Sequence, residues 1–224
     1  MNRQRHKKII ISGGGTGGHI FPAISVANAL RRIHAGTEIL FVGALGRMEM
    51  EKVPDAGYNI IGLPVDGLKR RFTFKNISVL LKFIKSLTMA KKILMEFRPD
   101  VVVGVGGYAS GPVLWQAGKM GIPTLIQEQN SYAGVTNKLL ARRASIICVA
   151  YDGMGKYFPA EKIIMTGNPV RQNLENLESQ IDEAQSFFNL KAGPPVVLVL
   201  GGSLGAGTIN NSLSENIATL GNSD

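Results

Sequence analysis

The sequence KIIISGGGTGGHIFPAISVANALRRIH, residues 8–34, predicts a buried strand, a glycine-rich turn and a helix in succession. The predicted strand is Lys8–Ser12, and the helix runs from Phe21 to about His34 with Pro22 at a tolerated first-turn position. A strand that turns through glycine into a helix leaves backbone N–H groups at the positive end of the helix dipole, where phosphate binds. The stretch therefore predicts an α/β fold with an anion site.

Two further glycine-rich turns repeat this pattern. They are GVGGYASG at residues 104–111 and GGSLGAG at residues 201–207, and each stands between an apolar run and a helix-like run. One such turn is weak evidence, because glycine also serves tight turns that bind nothing. Three of them predict a large, phosphorylated or multi-part substrate.

Strand-like and helix-like segments alternate along the chain, which predicts a parallel sheet with helices on both faces. We expect a first domain that closes near residue 165, a linker at Asn168-Pro169-Val170, and the start of a second domain with a strand at Val196–Leu200. The other predicted strands are 38–42, 59–63, 101–103, 124–127 and 145–150. The other predicted helices are 48–55, 76–97, 113–119, 135–143, 174–190 and one that begins near residue 206.

The chain has 224 residues and a formal net charge of +9. This charge favours an anionic partner, which could be nucleic acid, a membrane surface or a phosphorylated substrate. The sequence has no recognisable signal peptide and no apolar run long enough to span a bilayer, so we expect a cytoplasmic protein. The one cysteine, Cys148, falls in a predicted strand and is interpreted as a buried thiol.

The positive charge is concentrated in one interval. No carboxylate occurs between Asp66 and Glu96, and the basic residues of that interval are Lys69, Arg70, Arg71, Lys75, Lys82, Lys85, Lys91 and Lys92. The apolar residues of helix 76–97 that recur at helical spacing, and should face the core, are Phe83, Leu87, Ala90, Leu94 and Phe97.

Aliphatic residues border the lysines on the other side of this helix, a pattern typical of a surface that rests on anionic lipid. The residues expected to contact a membrane are Lys75, Ile77, Leu81, Lys82, Ile84 and Lys85. The alternative is a solvated lysine face whose apolar residues meet another helix or the second domain. Nucleic acid is not favoured, because the patch lacks an exposed aromatic platform or a recognition motif.

The first glycine turn fits the G-x-G-x-x-G spacing of dinucleotide sites, but the second predicted strand ends Phe41-Val42-Gly43 without the acidic residue that binds a ribose. None of the three turns has the Gly-Lys-Ser/Thr ending of a nucleotide-hydrolysing loop. No Asp-x-Asp pair and no His/Cys cluster at ligand spacing occurs, so no metal site is predicted.

Two polar features follow predicted strands. His19 comes directly after the first glycine turn, where it would overlie the crevice that binds ligands in open α/β sheets and could accept a proton from a sugar hydroxyl. Its alternative role is to cap or orient the loop. Gln127-Glu128-Gln129-Asn130 is poor core material and would line the same crevice, unless it is an ordinary polar turn. Asn137 either supports this site or lies on a solvated face.

Five motifs resemble, in order, those of the MurG family of N-acetylglucosaminyltransferases, which belongs to glycosyltransferase family 28. They are GGTGGHIFPA at 14–23, GGYASGP at 106–112, EQN at 128–130, GNPVR at 167–171 and GGSLGA at 201–206. The resemblance covers the whole chain and implies a GT-B fold, in which two Rossmann-like domains enclose the active site. Residues 1–166 would be the acceptor and membrane-associating domain, and residues 167–224 the linker and first part of a truncated UDP-sugar-binding domain.

The resemblance also implies the roles of individual residues. Gln127 stands where many relatives have histidine, so His19 is the first choice of catalytic base and Glu128 the second. The implied contacts to UDP-N-acetylglucosamine (UDP-GlcNAc) are Thr16, Gly17, Gly18, Asn130, Arg171 and Ser203. The other implied cleft residues are Tyr108, Asn137, Gly202, Gly205 and Asn210. No metal or other cofactor is implied.

The family converts lipid I to lipid II at the cytoplasmic face of the inner membrane, in peptidoglycan synthesis that serves cell shape and division. The resemblance implies an inverting transfer of N-acetylglucosamine from UDP-GlcNAc to the muramoyl 4-hydroxyl of lipid I. Because the segments that bind uracil and ribose would lie beyond residue 224, we expect this chain alone to be inactive. The alternatives are a UDP-sugar epimerase of the same fold and a non-catalytic, membrane-recruiting acceptor subunit.

Overall fold

The computed structural model describes residues 7–67, 75–170, 180–190, 196–201 and 206–221, with residues 75–78, 218, 220 and 221 described as backbone only. The chain divides into two compact units, Met1–Glu175 and Asn176–Asp224. Among the described helices, none combines the length and the apolar character that crossing a bilayer requires.

The first unit contains a parallel sheet of seven strands in the order β3-β2-β1-β4-β5-β6-β7. The strands are β1 Lys8–Ser12, β2 Glu38–Ala44, β3 Asn59–Leu63, β4 Val101–Gly104, β5 Thr124–Glu128, β6 Ile146–Val149 and β7 Ile163–Met165. The first six confirm the predicted strands to within one or two residues at each end. Sequence reasoning missed β7, because three residues at the edge of a sheet are too few to show a periodic pattern.

Helices cover both faces of this sheet. They are α1 Gly17–Ile33, α2 Glu49–Asp55, α3 Lys75–Phe97, α4 Ser110–Lys119 and α5 Val135–Leu140. Successive side chains of β1 point to opposite faces: Ile10 joins a core with residues of α3, α4 and α5, while Ile9 and Ile11 join a second core with residues of α1 and α2. Helices therefore pack on both faces of the sheet, as the alternating pattern predicts.

Among the described side chains of α3, which are those of residues 79–97, the buried ones lie in its carboxyl-terminal half. Ser86, Ala90 and Leu94 are buried, as predicted for Ala90 and Leu94, but Phe83 is 41% exposed, so its assignment to the core is wrong. The neighbouring Leu81 and Ile84 are also exposed. Helical periodicity identifies the face of a helix, but it does not reveal the length over which a neighbouring element covers that face.

The described part of the second unit contains the helices α6 Ile181–Phe187 and α7 Gly207–Gly221. The prediction of a buried strand at Val196–Leu200 is wrong for this structure, since all five residues lie outside regular secondary structure and are exposed. A strand requires a partner for its backbone groups, and the described residues of this unit supply none. Cys148 lies in β6 as predicted but is only partly buried. This burial raises the pKa of its thiol despite a hydrogen bond with Thr166.

Candidate active site

The candidate site lies beyond the carboxyl ends of β1, β4 and β5. The strand order reverses between β1 and β4, and open α/β sheets bind their ligands at such a reversal. The two glycine turns that follow these strands contact each other directly, because the N–H of Gly14 donates to the carbonyl of Gly106 at 3.3 Å. Gly107 has φ +86°, and a Cβ there would lie 2.3 Å from the oxygen of Gly14. Glycine at this position permits the close approach of the two loops.

Glu49 is a buried carboxylate beneath the first glycine turn. The side chain is 1% exposed, and it accepts the N–H of Ala44 at Oε1 and the N–H of Gly15 at Oε2, both at 2.9 Å. A Cβ on Gly14 would lie 2.2 Å from Oε1, so this contact requires glycine. Sequence reasoning missed Glu49, because its only local signal, an acidic residue at the start of a short helix, is typical of ordinary helix stabilisation.

The backbone amides of the first turn divide into two groups. Those of Gly13, Gly14 and Gly15 donate to Val42, Gly106 and Glu49 respectively. Gly17 and Gly18 begin α1, where N–H groups have no acceptor within the helix, and the Thr16 side chain does not cap them. Among the amides of this turn in the described part of the chain, those of Thr16, Gly17 and Gly18 therefore remain for an anion.

His19 lies against both glycine turns. Its Nδ1 is 3.2 Å from the carbonyl oxygen of Gly14 and 3.3 Å from Oγ1 of Thr16. A carbonyl oxygen can only accept, so the contact with Gly14 requires a proton on Nδ1 and leaves the lone pair on Nε2. Burial lowers the pKa of the imidazole below 6.5, although the Gly14 hydrogen bond and the charges of Glu128 and Glu49 raise it. At neutral pH the ring is thus uncharged and carries a free lone pair.

Glu128, at the end of β5, organises the polar loop that follows it. The carboxylate is 1% exposed. Its Oε1 accepts the backbone N–H and the Nδ2 of Asn130, both at 3.1 Å, and its Oε2 accepts the N–H of Gly134 and the Nδ2 of Asn137, both at 2.9 Å. Because each oxygen already accepts two hydrogen bonds, this group is better suited to hold the loop than to receive a proton.

The neighbouring amide side chains connect β5 to the rest of the crevice. Gln129 Nε2 donates to the carbonyl of Val105 at 2.9 Å and also contacts Oε1 of Gln127. Asn168 Nδ2 donates to the carbonyl of Gln129 at 3.3 Å. Asn137 is 2% exposed, which excludes the solvated position, and its Oδ1 has no protein hydrogen-bond partner among the described residues.

The structure brings several predicted residues together beyond the carboxyl ends of β1 and β5. They are Thr16, Gly17, Gly18, His19, Glu128, Asn130 and Asn137. Tyr108 belongs to the second glycine turn, is 54% exposed, and lies against Gly67. Asn210 is an exposed residue of α7 in the second unit. The predicted residues Arg171, Gly202, Ser203 and Gly205 lie outside the described residues. Within the described ranges, no group of three His, Cys, Asp or Glu side chains could hold a metal ion.

Comparison with known proteins identifies the same family that the motifs indicate. The sequence profile of the glycosyltransferase family 28 N-terminal domain matches residues 9–149. A protein of Bacteroides thetaiotaomicron named UDP-N-acetylglucosamine--N-acetylmuramyl-(pentapeptide) pyrophosphoryl-undecaprenol N-acetylglucosamine transferase is 62% identical over 217 residues, which are 97% of this chain and 58% of that protein. The chain thus spans little more than half the length of this relative.

Solved structures agree with this assignment. The crystal structure of Acinetobacter baumannii MurG matches 94% of this chain and 57% of its own, with a TM-score of 0.69 and 29% identity. The UDP-GlcNAc 2-epimerase from Neisseria meningitidis matches 81% of this chain and 54% of its own, with a TM-score of 0.55 but 15% identity, so it shares the fold alone.

The predicted α/β, Rossmann-like architecture of a GT-B glycosyltransferase is therefore confirmed, and an epimerase is not favoured. The family profile covers more than half of this chain, and the chain therefore belongs to glycosyltransferase family 28.

Proposed function

We propose that the chain is part of an inverting hexosyltransferase that transfers N-acetylglucosamine from UDP-GlcNAc to the muramoyl 4-hydroxyl of lipid I, forming lipid II. The name of the 62% identical relative supports these substrates. The observation that carries the proposal for this chain's own residues is the placement of His19 between the two glycine turns, with Nδ1 against the Gly14 carbonyl.

His19 is the proposed general base. Its Nε2 accepts the proton of the 4-hydroxyl as that oxygen attacks the anomeric carbon of the donor sugar. The lowered pKa keeps the imidazole unprotonated at neutral pH, so the lone pair is available without prior loss of a proton. Glu128, the other candidate, becomes a residue that holds the loop, because both its oxygens already accept hydrogen bonds.

The departing diphosphate requires hydrogen-bond donors, and the first turn of α1 is the proposed source of some of them. The N–H groups of Gly17 and Gly18, with the Thr16 hydroxyl beside them, stand at the positive end of the dipole of a helix that runs to Ile33. Arg171 and Ser203 remain proposed donor contacts on the basis of the motifs that contain them. Gly202, Gly205 and Asn210 remain proposed as other residues of the cleft.

Polar groups near Glu128 are proposed to recognise the sugars. Asn130 is exposed and is oriented by its bond to Glu128 Oε1. Asn137 is buried and donates to Glu128 Oε2, so it is proposed to support this site by holding Glu128 in place. Tyr108, exposed beside the second glycine turn, presents its hydroxyl for recognition of the sugars.

A transfer assay tests the proposed function on the chain extended to the length of its relatives, with labelled UDP-GlcNAc and a lipid I analogue. His19→Ala should lower kcat by about 10²–10⁴-fold, the usual contribution of a general base. His34→Ala is the matched control, since His34 is an exposed residue at the end of α1 and should have normal turnover. Near-normal turnover of the His19→Ala enzyme would rule out the base assignment.

We also propose that the amino-terminal half of α3 rests on an anionic membrane, at the cytoplasmic face of the inner membrane. Leu80, Leu81, Phe83 and Ile84 are exposed beside Lys82 and Lys85. Exposed apolar residues flanked by lysines suit the boundary of an anionic bilayer, where each basic residue adds about 1 kcal/mol. Lys75 and Ile77 belong to the same proposed surface, although their side chains lie outside the described part of α3.

Sedimentation with vesicles of phosphatidylglycerol and phosphatidylethanolamine tests this surface. Replacing both Leu81 and Ile84 by serine should reduce the bound fraction strongly, because the apolar contact is lost. Ile33→Ser is the control, since Ile33 is 68% exposed but lies at the end of α1, away from α3. Equal binding by the double variant and the wild type would contradict the membrane proposal without affecting the proposed chemistry.

A further inference from the structure

Glu49 is a buried acidic residue that the proposed mechanism does not use. A buried carboxylate is costly unless it is hydrogen-bonded, and Glu49 accepts two backbone N–H groups at 2.9 Å from different parts of the chain. One belongs to Gly15, in the turn between β1 and the helix that carries His19; the other belongs to Ala44, the last residue of β2. Glu49 therefore joins the end of β2 to the turn that holds the proposed base.

The bond to the first turn is made through a single peptide unit. The N–H of Gly15 and the carbonyl of Gly14 belong to the same planar group. The N–H donates to Glu49 Oε2 at 2.9 Å, and the carbonyl oxygen is 3.2 Å from Nδ1 of His19. A carboxylate on the N–H side polarises this peptide and makes its carbonyl a stronger acceptor, because hydrogen bonds in a chain reinforce one another.

We propose that Glu49 is a positioning residue for His19: acting through the Gly14–Gly15 peptide, it holds the ring in the Nδ1–H tautomer and directs the lone pair of Nε2 toward the substrate. The importance of this tautomer for catalysis rests on the proposed function, but the preference for the tautomer does not depend on it. The geometry also accounts for glycine at position 14, where a Cβ would lie 2.2 Å from the Glu49 carboxylate.

The competing arrangement involves Thr16. Its hydroxyl, 3.3 Å from Nδ1, could donate to that nitrogen in the opposite tautomer, whereas the Gly14 carbonyl can only accept. Two carboxylates face the ring, Glu49 from α2 and Glu128 from the end of β5, and both raise the pKa of His19 against the lowering effect of burial. Glu49 is linked to the ring through the Gly14–Gly15 peptide, whereas Glu128 acts on it through its charge. Substitutions of the two carboxylates can therefore distinguish their effects on His19.

Nitrogen-15 NMR of the 224-residue chain labelled at histidine tests the proposal, because the two ring nitrogens have different shifts in each tautomer. At a pH above its titration, wild-type His19 should be predominantly protonated at Nδ1, while the exposed His34 serves as an internal reference. Thr16→Val should leave this preference intact, because the competing hydroxyl is removed. A wild-type His19 protonated at Nε2 would overturn the proposal, and this measurement needs no variant.

Glu49→Gln is the decisive variant. Whichever N–H donor its NH₂ faces, the neutral amide oxygen is a weaker acceptor than the carboxylate. The polarisation of the Gly14–Gly15 peptide therefore falls, and the predominance of the Nδ1–H tautomer should decrease. The titration midpoint of His19 should also move to lower pH, because a negative charge has been removed. Glu128→Gln should lower the midpoint while keeping the tautomer, and Glu51→Gln, on the exposed side of the same helix, should change neither.

A folded Glu49→Gln chain whose His19 keeps the wild-type tautomer would contradict the proposal. In the enzyme of full length, Glu49→Gln should lower kcat and move the acidic limb of the pH profile to lower pH, with little change in KM. If His19→Ala proves active in the same assay, the base assignment fails, whereas the NMR result still decides whether Glu49 controls the ring.

Discussion

The crevice beyond β1, β4 and β5 buries charged side chains, whereas the amino-terminal half of α3 exposes apolar ones. Glu49 and Glu128 are each 1% exposed, while Leu81 and Phe83 are 63% and 41% exposed. Both arrangements run against the usual preference of these residue types for solvent or core. In the crevice, hydrogen bonds to described residues satisfy each carboxylate, but in α3 no described element covers the apolar side chains.

The difference separates two kinds of functional surface. A crevice that must orient a reacting group needs fixed geometry, and a saturated polar network supplies it. A surface that meets lipid needs apolar area and positive charge, but no fixed partner. Stability should therefore depend strongly on the crevice residues and weakly on the exposed face of α3, which five substitutions can test.

Glu128→Ala should have the largest effect. It leaves the donors of Asn130, Gly134 and Asn137 without their acceptor, which should lower the free energy of unfolding by about 4 kcal/mol. Urea unfolding followed by the fluorescence of Trp115, the only tryptophan, reports on the first unit. Glu161→Ala, at an exposed position, should change little. Equal effects of the two substitutions would show that the crevice network does not contribute to stability.

Leu94→Ala and Leu81→Ala apply the same change to the two halves of α3. Leu94 is 1% exposed and belongs to the core, so its truncation should cost about 3 kcal/mol. Leu81→Ala should cost almost nothing and should instead weaken binding to anionic vesicles. A large loss of stability from Leu81→Ala would mean that another part of the protein covers this face.

Gly107→Ala tests the contact between the glycine turns. The position has φ +86°, and its Cβ would meet the oxygen of Gly14 at 2.3 Å, so we expect a loss of about 2 kcal/mol. Gly155→Ala is the control, since no atom lies within 4 Å of its Cβ position. If both variants unfold at the wild-type urea concentration, the two turns do not constrain each other.

Asp66→Asn should have only a small effect on stability, about 0.5 kcal/mol, because its bridges to Lys82 and Arg47 are largely exposed. The hydrogen bond from Lys82 lowers the pKa of Asp66. The contribution is therefore present above the unfolded value of 3.8 and is lost as the pH falls through the folded pKa. The difference between variant and wild type should be measurable by urea unfolding at neutral pH and should vanish in acid.

The same substitution sharpens the membrane proposal. Asp66 neutralises one lysine of the proposed lipid surface, since its carboxylate lies 2.5 Å from Nζ of Lys82. Asp66→Asn removes a negative charge beside that surface and should increase the fraction bound to anionic vesicles, more so at low salt. Unchanged binding at low salt would place Lys82 outside the lipid contact.

Much of the fold could be predicted because its signals are local. The apolar runs of β1 and β5 and the glycines between β1 and α1 each carry their structural preference within a few residues. His19, Glu128 and Asn130 could be selected as candidates for the same reason, since polar residues directly after buried strands reach one edge of a parallel sheet. Val196–Leu200 carried an equally local signal, but it lacks a strand partner among the described residues.

By itself, the sequence determined the alternation of strands and helices, the position of the glycine turns and the concentration of lysines, because these properties depend on neighbouring residues. The tertiary structure alone decided which carboxylates are satisfied, since Glu49 meets a turn 34 residues away along the chain. It also decided that Phe83 is exposed and that Asn137 is buried. Burial and hydrogen-bond partners arise from residues distant in sequence, and no local pattern specifies them.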